Sequence, residues 1–312
     1  MARRGVERFA VAEAGAGPYG VAVGPDGGVW FTLVHAGEIG RLAADGTVAR
    51  YGLGAPQCGP SVITAGPDGA LWFTRMRDHR IGRIDVDGTA SSFAVPTGDA
   101  GPYGITAGPD GALWFTELNA DRIGRITVDG EVTEYPLPQT GAFPSLITAG
   151  PDGALWCTLN QANAVARITV DGEVAVHPLP TEGTAPVGIT AGADGALWFV
   201  GIGGGLVGRI TVDGEVAEYP LADRAARPHA IAAAPDGRLW FTEWGAGRIG
   251  VLAPDGRTGG PLDASFDVPF DGYELPGPGA EPHGIALGPD GAVYAALERG
   301  ELVRLAPGGT YG

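Results

Sequence analysis

The sequence predicts an all-β fold: a seven-bladed β-propeller of four-stranded antiparallel blades. Three observations carry this. A proline leading a short apolar run recurs every 42 residues, at Pro18, Pro60, Pro102, Pro144, Pro186 and Pro228, and once more at Pro282 after an interval of 54. Each copy holds four short strand-type runs parted by glycine turns, the pattern of one propeller blade. The seventh copy stops after its third run, Val303-Arg304-Leu305, while the chain opens with a spare one. Val6 to Ala10 precede Pro18 as Val132 to Leu137 precede Pro144. The first residues are therefore expected to supply the outer strand of the last blade and so cover an open edge.

The third copy shows the elements most clearly. Gly104 to Ala107 reads as a tight inner strand, and Pro109-Asp110-Gly111 as a turn whose glycine takes the positive φ a hairpin needs. Ala112 to Glu117 reads as the second strand, anchored by Trp114. Trp30, Trp72, Trp156, Trp198 and Trp240 fill the same slot, with Tyr294 in the last copy. These rings are expected to pack between neighbouring blades. Arg122 to Thr127 reads as the third strand, Asp129-Gly130 as a second hairpin turn, and Val132 to Leu137 as the outer strand. The sixth copy carries twelve extra residues within Arg257 to Gly272, between its third and outer strands.

Length alone would allow two domains in 312 residues, but the unbroken repeat phase argues for one domain over 1–312. The 55 glycines and 26 prolines sit at fixed repeat positions, which makes them turn residues instead of a sign of disorder. A net charge of −16 without a basic stripe argues against nucleic acid and modestly favours a cation. No run reads as a membrane span or a signal peptide, so a cytoplasmic protein is expected, and the chain is expected to be a monomer. Cys58 and Cys157 form no CxxC pair and read as free thiols; Cys157 replaces the phenylalanine of the repeated WFT and reads as core.

Antiparallel order fixes the faces of the disc. The prolines and the ends of the WFT strands share one face, and the PDG and VDG turns lie on the other. The insert is therefore expected to project away from the proline face. The residues following the prolines form a ring: Tyr19, Ser61, Tyr103, Ser145, Val187, His229 and His283. Those preceding them are Gly17, Gly59, Gly101, Phe143, Ala185, Arg227 and Glu281. Repetition would permit seven similar sets. Instead Arg227, His229, Glu281 and His283 crowd units six and seven, and Glu298 joins them four residues after Tyr294. Such a break of symmetry toward ionisable groups is what a site needs. Glu281 and Glu298 beside His283 are a donor set that suits magnesium, which accepts two carboxylates and keeps several waters. His79 and His177 read as surface or hydrogen-bonded histidines. So does His35, which has no carboxylate partner in its own unit.

The segments ARPHAIAAAPDGRLWFTEWGAGRIG and AEPHGIALGPDG, with Glu298 four residues beyond the last aromatic anchor, resemble the virginiamycin B lyase (streptogramin lyase) family nearly throughout the chain. The resemblance implies a magnesium-dependent carbon–oxygen lyase that linearises type B streptogramins, which are cyclic depsipeptide antibiotics, by elimination at a threonyl ester. It implies His283 as general base, Glu281 and Glu298 as magnesium ligands, His229 as a substrate-contacting residue and Tyr19 as an aromatic contact. Tyr294-Ala295-Ala296, where the family tends to WFA, and the insert depart from the pattern. A metal-dependent lactonase-type hydrolase and a non-catalytic binding propeller stand as the other readings of the same architecture.

Overall fold

The computed structural model describes residues 5–253, 270–277 and 279–306. Seven four-stranded antiparallel sheets form the seven blades of a β-propeller. Blade three comprises Pro102–Ala107, Leu113–Glu117, Arg122–Ile126 and Val132–Pro136. Its inner strand starts two residues earlier than the composition suggests, because Pro102 pairs directly with Glu117 before the register shifts ahead of Ile105. A proline is tolerated there, since the first strand residue need not donate a ladder hydrogen bond.

The ring closes as expected. Val6–Ala10 lies antiparallel to Glu301–Leu305, with Val6 opposite Leu305 and Ala10 opposite Glu301. Side chains reinforce the seam: Arg8 pairs with Glu301, and Arg304 reaches Glu7 at 3.1 Å.

The hydrophobic core lies between blades. Trp30 clusters with Ile63, Leu71 and Phe73 of the next blade, and Trp114 with Ile147, Leu155 and Cys157. Each of these tryptophans also packs within its own blade: Trp114 stacks on Tyr135 of the outer strand, with ring centroids 5.5 Å apart. Turn aspartates add a contact that the PDG pattern alone does not reveal. Asp110 accepts the Trp114 indole N–H at 3.1 Å on one oxygen and the Arg125 Nε–H at 2.6 Å on the other. Burial would raise its pKa, but the Arg125 and Trp114 hydrogen bonds outweigh it and hold the carboxyl below its ordinary value. Gly111 takes φ 75° in the same turn.

Cys58 and Cys157 are free and buried, and burial pushes the Cys157 thiol up to about 12. The insert falls mostly outside the described residues. The strand ends that it joins, Leu252 and Phe270, pair at the face opposite Pro228. Phe270, Asp271 and Gly272 belong to the outer strand itself. Among the described residues no helix is long and apolar enough to cross a membrane.

Candidate active site at the propeller axis

The inner strands bring the seven ring residues around the axis, and the threonine of WFT fixes most of them there. Thr242 Oγ1 accepts the Ala230 N–H at 2.9 Å within its own blade and donates to the His283 carbonyl of the next blade at 2.9 Å. Thr32, Thr74, Thr116 and Thr158 donate in the same way to Ser61, Tyr103, Ser145 and Val187. Val200 and Ala296 occupy this slot in the fifth and seventh blades, so the carbonyls of His229 and Tyr19 have no such hydroxyl to accept from.

The residues preceding the prolines share an unusual backbone. All seven have positive φ, including the non-glycines Phe143, Ala185, Arg227 and Glu281, the last at 38°. This left-handed turn presents their side chains at the rim, at a steric cost for any residue with a Cβ. The main-chain N–H of Glu298 donates to the Glu281 carbonyl at 3.4 Å, which sets these two residues side by side.

Tyr19, His229, Glu281, His283 and Glu298 all gather in one sector. His283 Nε2 lies 3.0 Å from Glu298 Oε2. The Tyr19 ring lies over His283 with centroids 4.6 Å apart, and the His229 ring meets His283 edge-on at 5.3 Å. The Tyr19 hydroxyl is 3.2 Å from His229 Nε2. Ser61 and Ser145 instead turn back onto the carbonyls of Gly59 and Phe143. Arg227 leaves the imidazole cluster to lie over Trp244, 5.4 Å from its ring centre. These two residues line a cleft of about 570 Å³ that Glu274 and Glu281 also border.

The electrostatics mark out His229, Glu298 and Tyr19. Burial, together with nearby His283, pushes His229 down to about 3, so its imidazole is neutral at pH 7. The hydrogen bond with His283 holds Glu298 below its ordinary value against partial burial, with contributions from Glu281 and His35. Burial raises the Tyr19 phenol well above its ordinary value, with Tyr103 adding to the effect.

His35 differs from its sequence reading. Its carboxylate partner comes from blade seven, across the closure: His35 Nε2 stands 3.7 Å from Glu298 Oε1, and Arg77 of blade two reaches His35 Nδ1 at 3.3 Å. Glycines leave room for this arrangement. A Cβ on Gly17 would come within 2.6 Å of the His35 ring, and one on Gly59 within 2.8 Å of the Arg77 stem. The signal available in the sequence was positional, since His35 and Arg77 occupy equivalent places five residues after Trp30 and Trp72.

Among the described residues no group of three or more His, Cys, Asp or Glu could by itself hold a metal ion. Glu281 and Glu298 supply two carboxylates, set side by side by the main-chain bond between them. Their hard oxygen donors, one carboxylate held ionised, fit a cation that keeps much of its water shell.

One axial face of the propeller thus carries an imidazole hydrogen-bonded to a carboxylate, a second carboxylate and a part-buried tyrosine pair. The chain belongs to the virginiamycin B lyase family, whose model matches residues 4–305. A solved streptogramin B lyase structure superposes with a TM-score of 0.89 at 42% identity, covering 96% of each chain. A catalytically inactive histidine-to-alanine virginiamycin B lyase from Staphylococcus aureus, solved with quinupristin, superposes at 0.89 with 41% identity over 97% of this chain and 99% of that one. The virginiamycin B lyase of Mycobacterium sp. (strain KMS) is 54% identical over 41 residues, a stretch covering 13% of this chain and 15% of that protein.

Proposed function

We propose that this chain is a magnesium-dependent carbon–oxygen lyase that linearises type B streptogramins by elimination at their threonyl ester. The observation that carries the reading is the 3.0 Å contact between His283 Nε2 and Glu298 Oε2, with Glu281 alongside, on a face where the fold brings Tyr19 and His229 as well. The family match and the likeness to a lyase solved with quinupristin support the substrate class.

His283 is the general base. Its Nε2 faces Glu298 Oε2, and its buried Nδ1 has no hydrogen-bond partner among the described residues. In the reaction His283 takes the proton from the threonine Cα. A double bond forms between Cα and Cβ, the Cβ–O bond breaks, and the electron pair leaves with the released carboxylate. Glu298 orients the imidazole and stabilises its protonated form, which returns the proton to water. Tyr19 supplies an aromatic surface above His283, and neutral His229 contacts the substrate as a hydrogen-bonding group. Glu281 and Glu298 would hold magnesium, whose charge would stabilise the negative charge developing on the substrate carbonyl as the proton is removed. The enzyme is taken to be a cytoplasmic monomer of one domain.

The test is incubation with a type B streptogramin and magnesium, read by mass spectrometry. Ring opening at unchanged total mass, lost on adding EDTA, is the expected result. A product heavier by one water would make the protein a hydrolase, and no opening at all would reject the reading.

A further inference from the structure

Tyr103 belongs to blade three, far around the ring from His229 in blade six, yet one residue joins them. The Tyr19 hydroxyl lies 2.5 Å from the Tyr103 hydroxyl and 3.2 Å from His229 Nε2. Tyr19 has a single hydroxyl proton. It donates to one neighbour and accepts from the other, so the three groups form a chain that runs in one sense at a time. That sense decides whether His229 carries its proton on Nε2 or on Nδ1, and for a neutral imidazole this choice is its whole hydrogen-bonding character. The polarity of each bond in such a part-buried chain strengthens the next.

The other ring residues from blades two to five do not take part in this way. Ser61 and Ser145 bond to carbonyls of their own blades, and Val187 has no polar group. The Tyr103 backbone, by contrast, is fixed by the Thr74 hydroxyl at 2.7 Å, which gives its phenol a firm base from which to reach across the axis.

We infer that Tyr103 is a positioning residue: acting through Tyr19, it sets the tautomer of His229 and holds the Tyr19 ring against His283. The inference rests on the proposed reading of Tyr19 and His229 as substrate-contacting residues, and it adds a third, more distant member to that pair.

The test uses Tyr103→Phe in the full chain, which keeps the ring and removes the hydroxyl. Nitrogen-15 NMR of the histidine side chains is expected to show the His229 ring-nitrogen shifts moving. A type B streptogramin is expected to be opened with kcat/KM lowered about tenfold, the scale of one lost hydrogen bond. Adding Tyr103→Phe to Tyr19→Phe is expected to change neither readout further, because Tyr103 acts only through Tyr19. Unchanged His229 signals in Tyr103→Phe would overturn the inference, as would two substitutions whose effects simply add. A chain that opens no streptogramin refutes the proposed function, while the NMR comparison still decides the role of Tyr103.

Discussion

His283 Nε2 stands 3.0 Å from Glu298 Oε2, although the two residues sit on different strands of blade seven and are fifteen positions apart in the chain. The inner strand delivers the imidazole at its beginning, and the second strand ends just before the carboxylate. His283→Ala is expected to lower streptogramin ring opening by about 10²–10⁴-fold, the range for loss of a general base, with little change in melting temperature. Mass spectrometry of the product against time, with circular dichroism of the variant, checks both halves.

His35 contributes from across the closure. His35→Ala removes a group that steadies the Glu298 carboxylate, as outer-shell partners steady metal ligands. It is expected to weaken magnesium affinity about tenfold while saturating magnesium restores most of the rate. Titration calorimetry with magnesium alone gives the affinity, and the magnesium dependence of turnover gives the rate. An unchanged affinity would reduce His35 to a rim residue.

Glu281 holds a left-handed backbone at φ 38°, where glycine is at ease and glutamate is not. Glu281→Gly is expected to abolish activity while raising stability by about 1 kcal/mol, because it relieves that strain. Denaturant unfolding of the two chains side by side measures the gain, and a clear loss of stability would show that the turn is not strained.

Glu117 is fully buried in blade three beside Glu134; burial first, then the charge and hydrogen bonding of Glu134, pushes it up to about 8. An unfolded chain releases this proton near 4.5, whereas the folded one keeps it to about 8. Between those values the native state binds the extra proton, so stability falls as pH rises through the window and levels off above it. Glu117→Gln is expected to remove this decline, with a gain at pH 8 of about 1–2 kcal/mol, or a few degrees. Melting temperatures from pH 5 to pH 9 provide the check; parallel curves for the two chains would contradict it.

Val6–Ala10 supply the outer strand of the seventh blade, and Val11 is buried against blade one. Deleting residues 1–12 is expected to lower the melting temperature by about 5 °C or more, equivalent to roughly 3 kcal/mol in a chain of this size. An unchanged transition would mean that the seam contributes nothing.

The blades were legible because turn chemistry and strand composition are local, and a 42-residue repeat multiplies a weak signal sevenfold. The ring of post-proline residues was legible for the same reason: an alignment of copies exposes where His229, Glu281 and His283 break the pattern. Relations between copies were not. His35 looked partnerless because Glu298 lies more than 260 positions away in the chain and becomes a neighbour only on closure. Asp110 read as a turn residue, yet its side chain also ties Trp114 to Arg125. The positive φ before each proline was hidden wherever Phe143, Ala185, Arg227 or Glu281 replaces glycine. The insert in the sixth blade falls mostly outside the described residues.

The seam between Val6–Ala10 and Glu301–Leu305 has a consequence for biosynthesis. A ribosome delivers Val6–Ala10 before all the intervening blades and Glu301–Leu305 after them, so the earlier strand must wait for every one of those blades before it can dock. Blades one to six can form as they emerge, but His35 and Glu298 meet only when the last blade is in place. A prematurely terminated product would therefore carry most of the disc and none of the chemistry.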